Sequence, residues 1–409
     1  MIDYREIKEL VTAWGLQEHV IEKDYCLGWA LKGIASHPEL REQWVFKGGT
    51  CLKKCYIETY RFSEDLDFTV LDPKYVDINL LQNIFKQITA NIETESGIKF
   101  TKREHLFRQR GDYPTEVEGR LYYIGPRNTP MEASIKLDLS ASEKVIDIPV
   151  FNNISHPYSD AYLVAPFKVK CYSFNELFAE KIRAMGERCR PRDLYDIISI
   201  FRRDDFIKKP HVIHNLLHKK CKLKGIHTIT LSTIQNSKFK YELINEWESM
   251  LGHQLPALPS FEIFWNELPL FFEWLDTGVK ASPLPVFPLK EGEQQLEVQT
   301  VFTSASEKYY GFSMESIRFA AVNRLYVELG YNGKVRLIEP YSLRTTREGN
   351  LLLCAVKESG ESRTYRIDRI ESVKVTNKPF IPRYVIEFPA AGRINAPLIQ
   401  RNKTSFNES

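Results

Sequence analysis

The sequence predicts an α+β chain: a mixed core with a helical appendage, followed by a small β-rich module. Three observations lead there. Short strand-like apolar runs alternate with helix-length segments up to about residue 205, residues 206–280 carry helical periodicity almost alone, and beyond a proline-rich break the pattern turns to closely spaced β hairpins. The 409 residues suffice for two or three domains, and 43% apolar with 27% charged residues is the balance of an ordinary globular protein.

Taken in order, residues 4–36 predict two helices, with Leu27, Trp29 and Leu31 among their apolar positions. The core, bounded at 1–205, is expected to hold strands near 44–47, 66–71, 98–102, 119–124, 132–139 and 145–150. In the helical subdomain 206–280, Phe261, Phe264, Leu268, Phe271, Phe272, Trp274 and Leu275 form a dense apolar stripe that reads as core. Residues 281–300 hold three prolines and then a polar run, the composition of a linker. Within 301–392, one amphipathic helix (312–327) precedes strands at Lys334–Ile338, Leu351–Val356, Arg363–Ile367, Ile370–Val375 and Tyr384–Glu387. The polar tail 393–409 is expected to be disordered.

Composition narrows the class. No apolar run reaches 18 residues and the amino terminus lacks a signal-peptide profile, so a cytoplasmic chain without a membrane partner is expected. Seven cysteines without a CxxC pair argue against a disulfide framework or zinc ribbon, and Cys51 and Cys55 read as buried thiols on one helix face. His211, His214 and His218 read as a solvated basic face. Net charge is only +3, but cations gather locally: Arg103, Arg108 and Arg110; Lys168 and Lys170; Lys181 to Arg192; Lys219 to Lys224. A basic rim around an acidic centre suits an enzyme acting on RNA.

The chemistry concentrates in Val45-Phe46-Lys47-Gly48-Gly49-Thr50 and Arg61-Phe62-Ser63-Glu64-Asp65-Leu66-Asp67-Phe68. Side chains alternate along a strand, so Asp65 and Asp67 share a face at about 6–7 Å. Two like charges there repel unless a divalent cation joins them, and hard oxygen ligands suit Mg²⁺, or Mn²⁺, bound with substrate phosphates. Gly48 and Gly49 let the backbone approach a phosphate, and Gly-Gly-Thr, helix, Asp-x-Asp is how a nucleotidyltransferase of the polymerase-beta type holds a nucleoside triphosphate. Ala133 to Ser140 alternates and sets Asp138 with Ser134 and Lys136 on one face, a candidate third carboxylate that binds metal and takes the proton from the attacking hydroxyl. Lys181 and Arg188, at i and i+7 on one predicted helix, can clamp a triphosphate together.

Phe-Lys-Gly-Gly-Thr, Arg-Phe-Ser-Glu-Asp-Leu-Asp-Phe, Glu-Lys-Ile-Arg-Ala and Arg-Asp-Leu-Tyr-Asp-Ile, with the earlier Glu22-Lys23-Asp24-Tyr25, resemble the AbiEii-type nucleotidyltransferase toxins of type IV toxin–antitoxin and abortive-infection systems, over roughly residues 1–280. The resemblance implies phosphate contacts from Gly48, Gly49, Thr50, Ser63 and Arg192 and metal at Asp65, Asp67 and Asp138. It also implies a nucleotide-holding Lys181 and an acidic Asp193 in the last motif. It implies transfer of a nucleotide to an RNA 3′ end such as tRNA, and a separately encoded antitoxin. Ile338 to Leu343, Asn350 to Ala355 and Thr364 to Ile370 resemble a WYL domain, a small SH3-like barrel thought to sense nucleotides or nucleic acid. There Tyr341, Arg344, Arg366 and Arg369 would face a ligand, although Leu351-Leu352-Leu353 replaces the naming tripeptide. Two other readings stay open: a WYL-type regulator on an inactive nucleotidyltransferase scaffold, and nucleotidylation of a protein or small molecule.

Overall fold

The computed structural model describes residues 1–57, 61–100, 102–203, 209–280, 284–295 and 314–388, so the expected tail at 393–409 lies outside the described residues. Contacts divide the chain into two compact units, Met1–Pro283 with Asn377–Pro379, and Leu284–Thr376 with Phe380–Ser409.

The first unit is built on a seven-stranded sheet of β1 (Trp44–Lys47), β2 (Asp65–Val70), β3 (Leu106–Arg110), β4 (Tyr113–Tyr123), β5 (Ala133–Ser140), β6 (Val150–Asn153) and β7 (Lys168–Cys171), in the order β3-β4-β5-β2-β1-β7-β6. The β2–β5 and β1–β7 pairs are parallel and the other pairs antiparallel. Its helices are α1 (Tyr4–Trp14), α2 (Glu18–Ser36), α3 (Pro38–Gln43), α4 (Gly48–Cys51), α5 (Ile78–Ser96), α6 (Ala161–Val164), α7 (Phe174–Arg188), α8 (Pro191–Arg202) and α9 (Pro210–Leu223). Shorter helices run from Leu231 to Thr277.

Strand periodicity sorts the central strands into two faces. Phe46, Phe68, Leu139 and Val117 are register neighbours across β1, β2, β5 and β4, and all four are buried. This face meets α5, where Phe85 lies 5.9 Å from the Trp44 ring and 5.2 Å from that of Phe107. On the opposite face the same strands line up Lys47, Asp67, Asp138 and Glu118. One apolar row therefore fixes one charged row. The aromatic stripe is core as its periodicity predicts: Phe271 lies 5.7 Å from Phe178 of α7, and Trp274 lies 5.6 Å from Phe201 of α8.

Two expected strands differ. Among the described residues of 98–102 only a single bridge forms, between Lys99 and Ile124, and the Phe100 N–H donates to the Glu93 carboxylate rather than to a ladder. Residues 145–149 are irregular: the N–H groups of Ile146 and Asp147 donate to the buried Glu176 carboxylate, each at 2.9 Å, and β6 begins only at Val150. Strands β3 and β7 were not anticipated. The first is a charged edge strand with only Phe107 buried, and the second has four residues.

The phrase Glu22-Lys23-Asp24-Tyr25 on α2 acts as a brace. The Arg127 N–H donates to Glu22 at 2.8 Å, Lys23 pairs with Glu64 at 3.0 Å, Asp24 accepts from Lys54 at 2.7 Å, and the Tyr25 hydroxyl donates to Asp160 at 2.8 Å. Four consecutive side chains thus tie one helix to four separate segments. The Asp24–Lys54 pair is fully buried, and Tyr158 adds a hydroxyl at 2.8 Å.

The second unit holds β8 (Glu293–Gln295), β9 (Leu325–Tyr331), β10 (Lys334–Thr346), β11 (Leu351–Lys357), β12 (Ser362–Arg366), β13 (Ile370–Pro379) and a helix, Met314–Asn323. The β9–β10 hairpin turns on Asn332-Gly333, both at positive φ, the backbone a two-residue hairpin needs. The order is β12-β11-β10-β9-β13, with β8 on β10, so the described strands form an open sheet rather than the expected closed barrel. Tyr384–Glu387 makes isolated bonds, Val385 N–H to the Pro285 carbonyl and Glu387 N–H to that of Tyr341, instead of a strand. Residues 284–295 lie within this unit, and Phe287 joins Tyr326, Tyr341, Cys354, Val356 and Phe380 in its core.

Removing one partner of the Asp24–Lys54 pair strands the other charge in the core. Asp24→Ala is expected to cost about 3–5 kcal/mol in urea denaturation, and Asp24→Leu with Lys54→Met is expected to recover most of it. A double variant as unstable as the single one would show that the pair is not the source.

Candidate active site

The charged face of the sheet opens into a cavity of about 420 Å³. The sheet supplies Lys47, Asp65, Asp67, Lys136 and Asp138, the turn after β1 supplies Gly48 and Gly49, and Arg61 and Ser63 lead into β2. The opposite wall is Glu180, Lys181, Arg183 and Arg188 of α7 with Arg192 of α8. Of the residues expected to bind phosphate or metal, Gly48, Gly49, Ser63, Asp65, Asp67, Asp138, Lys181 and Arg192 all line it.

The glycines are required by space. Gly48 sits at φ +82°, and a Cβ there would lie 2.2 Å from Asp67 Oδ2. At Gly49 a Cβ would come within 2.7 Å of an Arg61 nitrogen and 3.1 Å of Ser63 Oγ. Thr50 differs from expectation. It is buried and its hydroxyl donates to the Asp65 carbonyl at 2.5 Å, so it ties the turn to β2 instead of facing the cavity.

The three carboxylates share a face but not a point. Asp67 and Asp138 are direct register partners, and Asp65 is paired with Lys136. Asp138 accepts from Lys136 at 2.7 Å and from Arg110 at 3.1 Å. Burial raises Asp67 to about 6, and Asp138 and Asp65 push the same way against the pull of Lys47. Burial also raises Asp65, with Asp138 adding to it and Lys136 opposing. Two carboxylates that resist ionisation, beside a glycine whose missing Cβ leaves one of their oxygens open, fit a divalent cation.

The opposite wall is held by an ion-pair chain whose two carboxylates are fully buried and whose outer end, Arg188, is exposed. Lys181 lies 2.7 Å from Asp196 and 3.5 Å from Asp193. Arg61 grips Asp196 with two bonds at 2.7 and 2.9 Å, and Arg188 grips Asp193 likewise. Burial opposes ionisation of Asp196, but Arg61 and Lys181 bring it down to about 2. Asp193 therefore lies behind the wall and positions Lys181 and Arg188. Arg192 differs from both: its Nε is buried with no hydrogen-bond partner, and burial and Arg61 depress its basicity. That is a cation arranged for an incoming anion.

Sequence reasoning assigned no role to Asp196, Arg61 or Lys47. Asp196 follows Asp193 by three residues, one helical face, and that spacing was the available signal. Lys47 pairs with Glu143, and burial opposes while Glu143, Glu180 and Asp67 raise its basicity. Its signal was its register at the end of an apolar strand.

The four residues expected to form a ligand surface in the second unit are not brought together on one. Tyr341 is fully buried and its hydroxyl donates to Glu339 at 2.6 Å; Arg344 is 1% exposed and pairs with Glu387 at 2.5 Å. Both are core groups, a correction to the surface reading. Arg366 is half-exposed and bidentate to Asp368, and Arg369 is exposed in the following turn.

A carboxyl whose folded value (about 6) exceeds its ordinary 3.8 binds its proton more tightly when folded. Stability is then lost as pH rises from about 4 to 6. Without divalent ions, Asp67→Asn is expected to stabilise the protein by ~2 kcal/mol at pH 7.5, fading below pH 4. Saturating divalent ion should reverse the order. Thermal melts across pH, with and without the ion, check both signs.

No curated protein matches the chain. Eight chains of solved structures do, among them MenT4, a nucleotidyltransferase toxin from Mycobacterium tuberculosis, at 18% identity and a TM-score of 0.48, covering 67% of this chain and 88% of that one. A family profile described as nucleotidyl transferase AbiEii toxin, type IV TA system, matches residues 29–276, more than half the chain and all of the cavity's walls. The chain belongs to the AbiEii nucleotidyltransferase toxin family.

Proposed function

We propose that this toxin-family nucleotidyltransferase transfers a nucleoside monophosphate from an NTP to an RNA 3′ end, with tRNA the favoured acceptor. Such transfer would block translation in a toxin–antitoxin or phage-defence setting, under a cognate antitoxin's control. The observation that carries the reading is one cavity with carboxylates on its sheet wall and Lys181, Arg188 and Arg192 on its helix wall. Charges of opposite sign facing across 420 Å³ suit a metal-bound triphosphate.

Asp65 and Asp67 would hold the divalent ion, Mg²⁺ or Mn²⁺, with Asp138 as third carboxylate. Bound there, the ion would neutralise the carboxylates and polarise the phosphate oxygens. Gly48 and Gly49 offer backbone N–H groups to the phosphates, Lys181 and Arg188 supply fixed positive charge, and the unpartnered Arg192 Nε donates to a phosphate oxygen. The acceptor hydroxyl attacks the α-phosphorus, a new P–O bond forms, and pyrophosphate leaves. An Asp138 oxygen takes the hydroxyl proton once Lys136 and Arg110 turn toward the substrate. Support for an RNA acceptor comes from α9, where Lys219, Lys222 and Lys224 are exposed and Lys224 approaches the cavity residue Glu143 at 4.0 Å. In this reading the second unit is a WYL-like module contacting nucleotide or nucleic acid around Arg369.

Incubation with each α-labelled NTP and a mixed RNA and protein extract is expected to label RNA. Label confined to protein would overturn the acceptor assignment. Asp65→Asn and Asp67→Asn should each lower transfer about 10³-fold. Arg192→Ala should raise the KM for NTP about tenfold without loss of thermal stability, since its Nε makes no bond in the folded protein.

A further inference from the structure

Just after the Gly48-Gly49 turn begins a cluster that does not line the cavity and that nucleotidyl transfer does not use. Cys51, Cys55 and Cys171 place their sulfurs within 4.8 Å of one another. Among the described residues they are the only three or more His, Cys, Asp or Glu groups so close together. Cys51 ends α4, Cys55 lies in the π turn Leu52–Tyr56 that continues it, and Cys171 ends β7. The π turn is closed by the Ile57 N–H on the Leu52 carbonyl at 2.7 Å, and such turns are uncommon outside functional sites. Cys51 and Cys171 are buried, and Cys55 is half-buried.

We propose that Cys51, Cys55 and Cys171 form a three-sulfur site for a soft, three-coordinate metalloid or metal ion, with trivalent arsenic the best match. Thiolates select soft ions, and three converging sulfurs with no fourth His, Cys, Asp or Glu beside them among the described residues suit trigonal rather than tetrahedral binding. The nearby oxygens, the Tyr56 hydroxyl at 3.7 Å and the Val150 carbonyl at 3.5 Å from Cys171 Sγ, are hard donors that a soft ion does not select. Charge decides among soft ions. Three thiolates leave a buried charge of −2 on a monovalent ion and −1 on a divalent one, but none on a trivalent centre. Lys54, the cation beside Cys55 in sequence, is paired with Asp24 at 2.7 Å, so its charge is already largely balanced. The reaction balances without redox change: arsenous acid and three thiols form three As–S bonds, break three As–O bonds and release three waters.

The test uses reduced full-length protein and arsenite. Native mass spectrometry is expected to show one arsenic per chain replacing three protons, and X-ray absorption at the arsenic edge is expected to show three sulfur neighbours and no oxygen. Cys171→Ala should weaken binding about 10–100-fold, while Cys221→Ala, a buried thiol of α9, should leave it unchanged. An arsenic held by two sulfurs and an oxygen in the wild type would overturn the proposal even if Cys171→Ala fails to fold. Equal loss in both variants, or tighter binding of Cd²⁺ than of arsenite, would overturn it too.

Discussion

The arrangement turns on one parallel pairing, β2 beside β5, which sets Asp67 directly against Asp138. A slip of β2 by one residue would turn Phe68 into the cavity and bury Asp67 in the apolar layer. In the polar row Lys47 attracts Asp67, but Asp67 and Asp138 repel without a cation, and Asp67 holds its proton up to about 6. The register is therefore fixed chiefly from the other face, where Phe46, Phe68 and Leu139 are buried and Trp44 packs on Phe85 of α5. The hydrophobic layer holds the electrostatic strain that a divalent ion would relieve. This is why the face with no chemistry determines where the chemistry can sit.

The helix wall solves a different problem. Lys181, Arg61 and Arg188 bring three positive charges to two almost inaccessible carboxylates, Asp193 and Asp196. Pairs so buried contribute little net stability, but removing one partner is costly, so the chain fixes geometry more than it stabilises. Its effect is to hold Lys181 and Arg188 rigidly at the cavity while leaving a positive excess there. Arg192, outside the chain, lacks such restraint at its Nε and has most to gain from an anion.

Much of this was legible in the sequence because it rests on periodicity. Period two along Asp65–Val70 and Ala133–Ser140 put the three carboxylates on one face, and the i, i+7 spacing put Lys181 with Arg188. What was not legible depends on partners distant in sequence. Thr50 reads as a phosphate ligand until the Asp65 carbonyl appears beside it, and 145–150 reads as a strand until Glu176, some thirty residues on, captures its N–H groups. Tyr341 and Arg344 read as ligand-facing groups because the WYL resemblance implies that role for them. Their burial is decided by Glu339 and Glu387, which charge patterning alone cannot place.

The Glu-Lys-Asp-Tyr phrase shows how a sequence signature can be structural and still serve the site. None of its four side chains lines the cavity. Yet Lys23 holds Glu64, the neighbour of Asp65, and Asp24 holds Lys54, three residues beyond the helix that starts at Gly48. One turn of α2 thus anchors both the glycine turn and the entry to the carboxylate strand. The space between Gly48 and Asp67 is too tight for a single Cβ, so their separation has to be set by rigid elements rather than by contact between them. A brace from a third element, reaching one through a buried charge pair and the other through a partly exposed one, sets that separation without occupying the cavity.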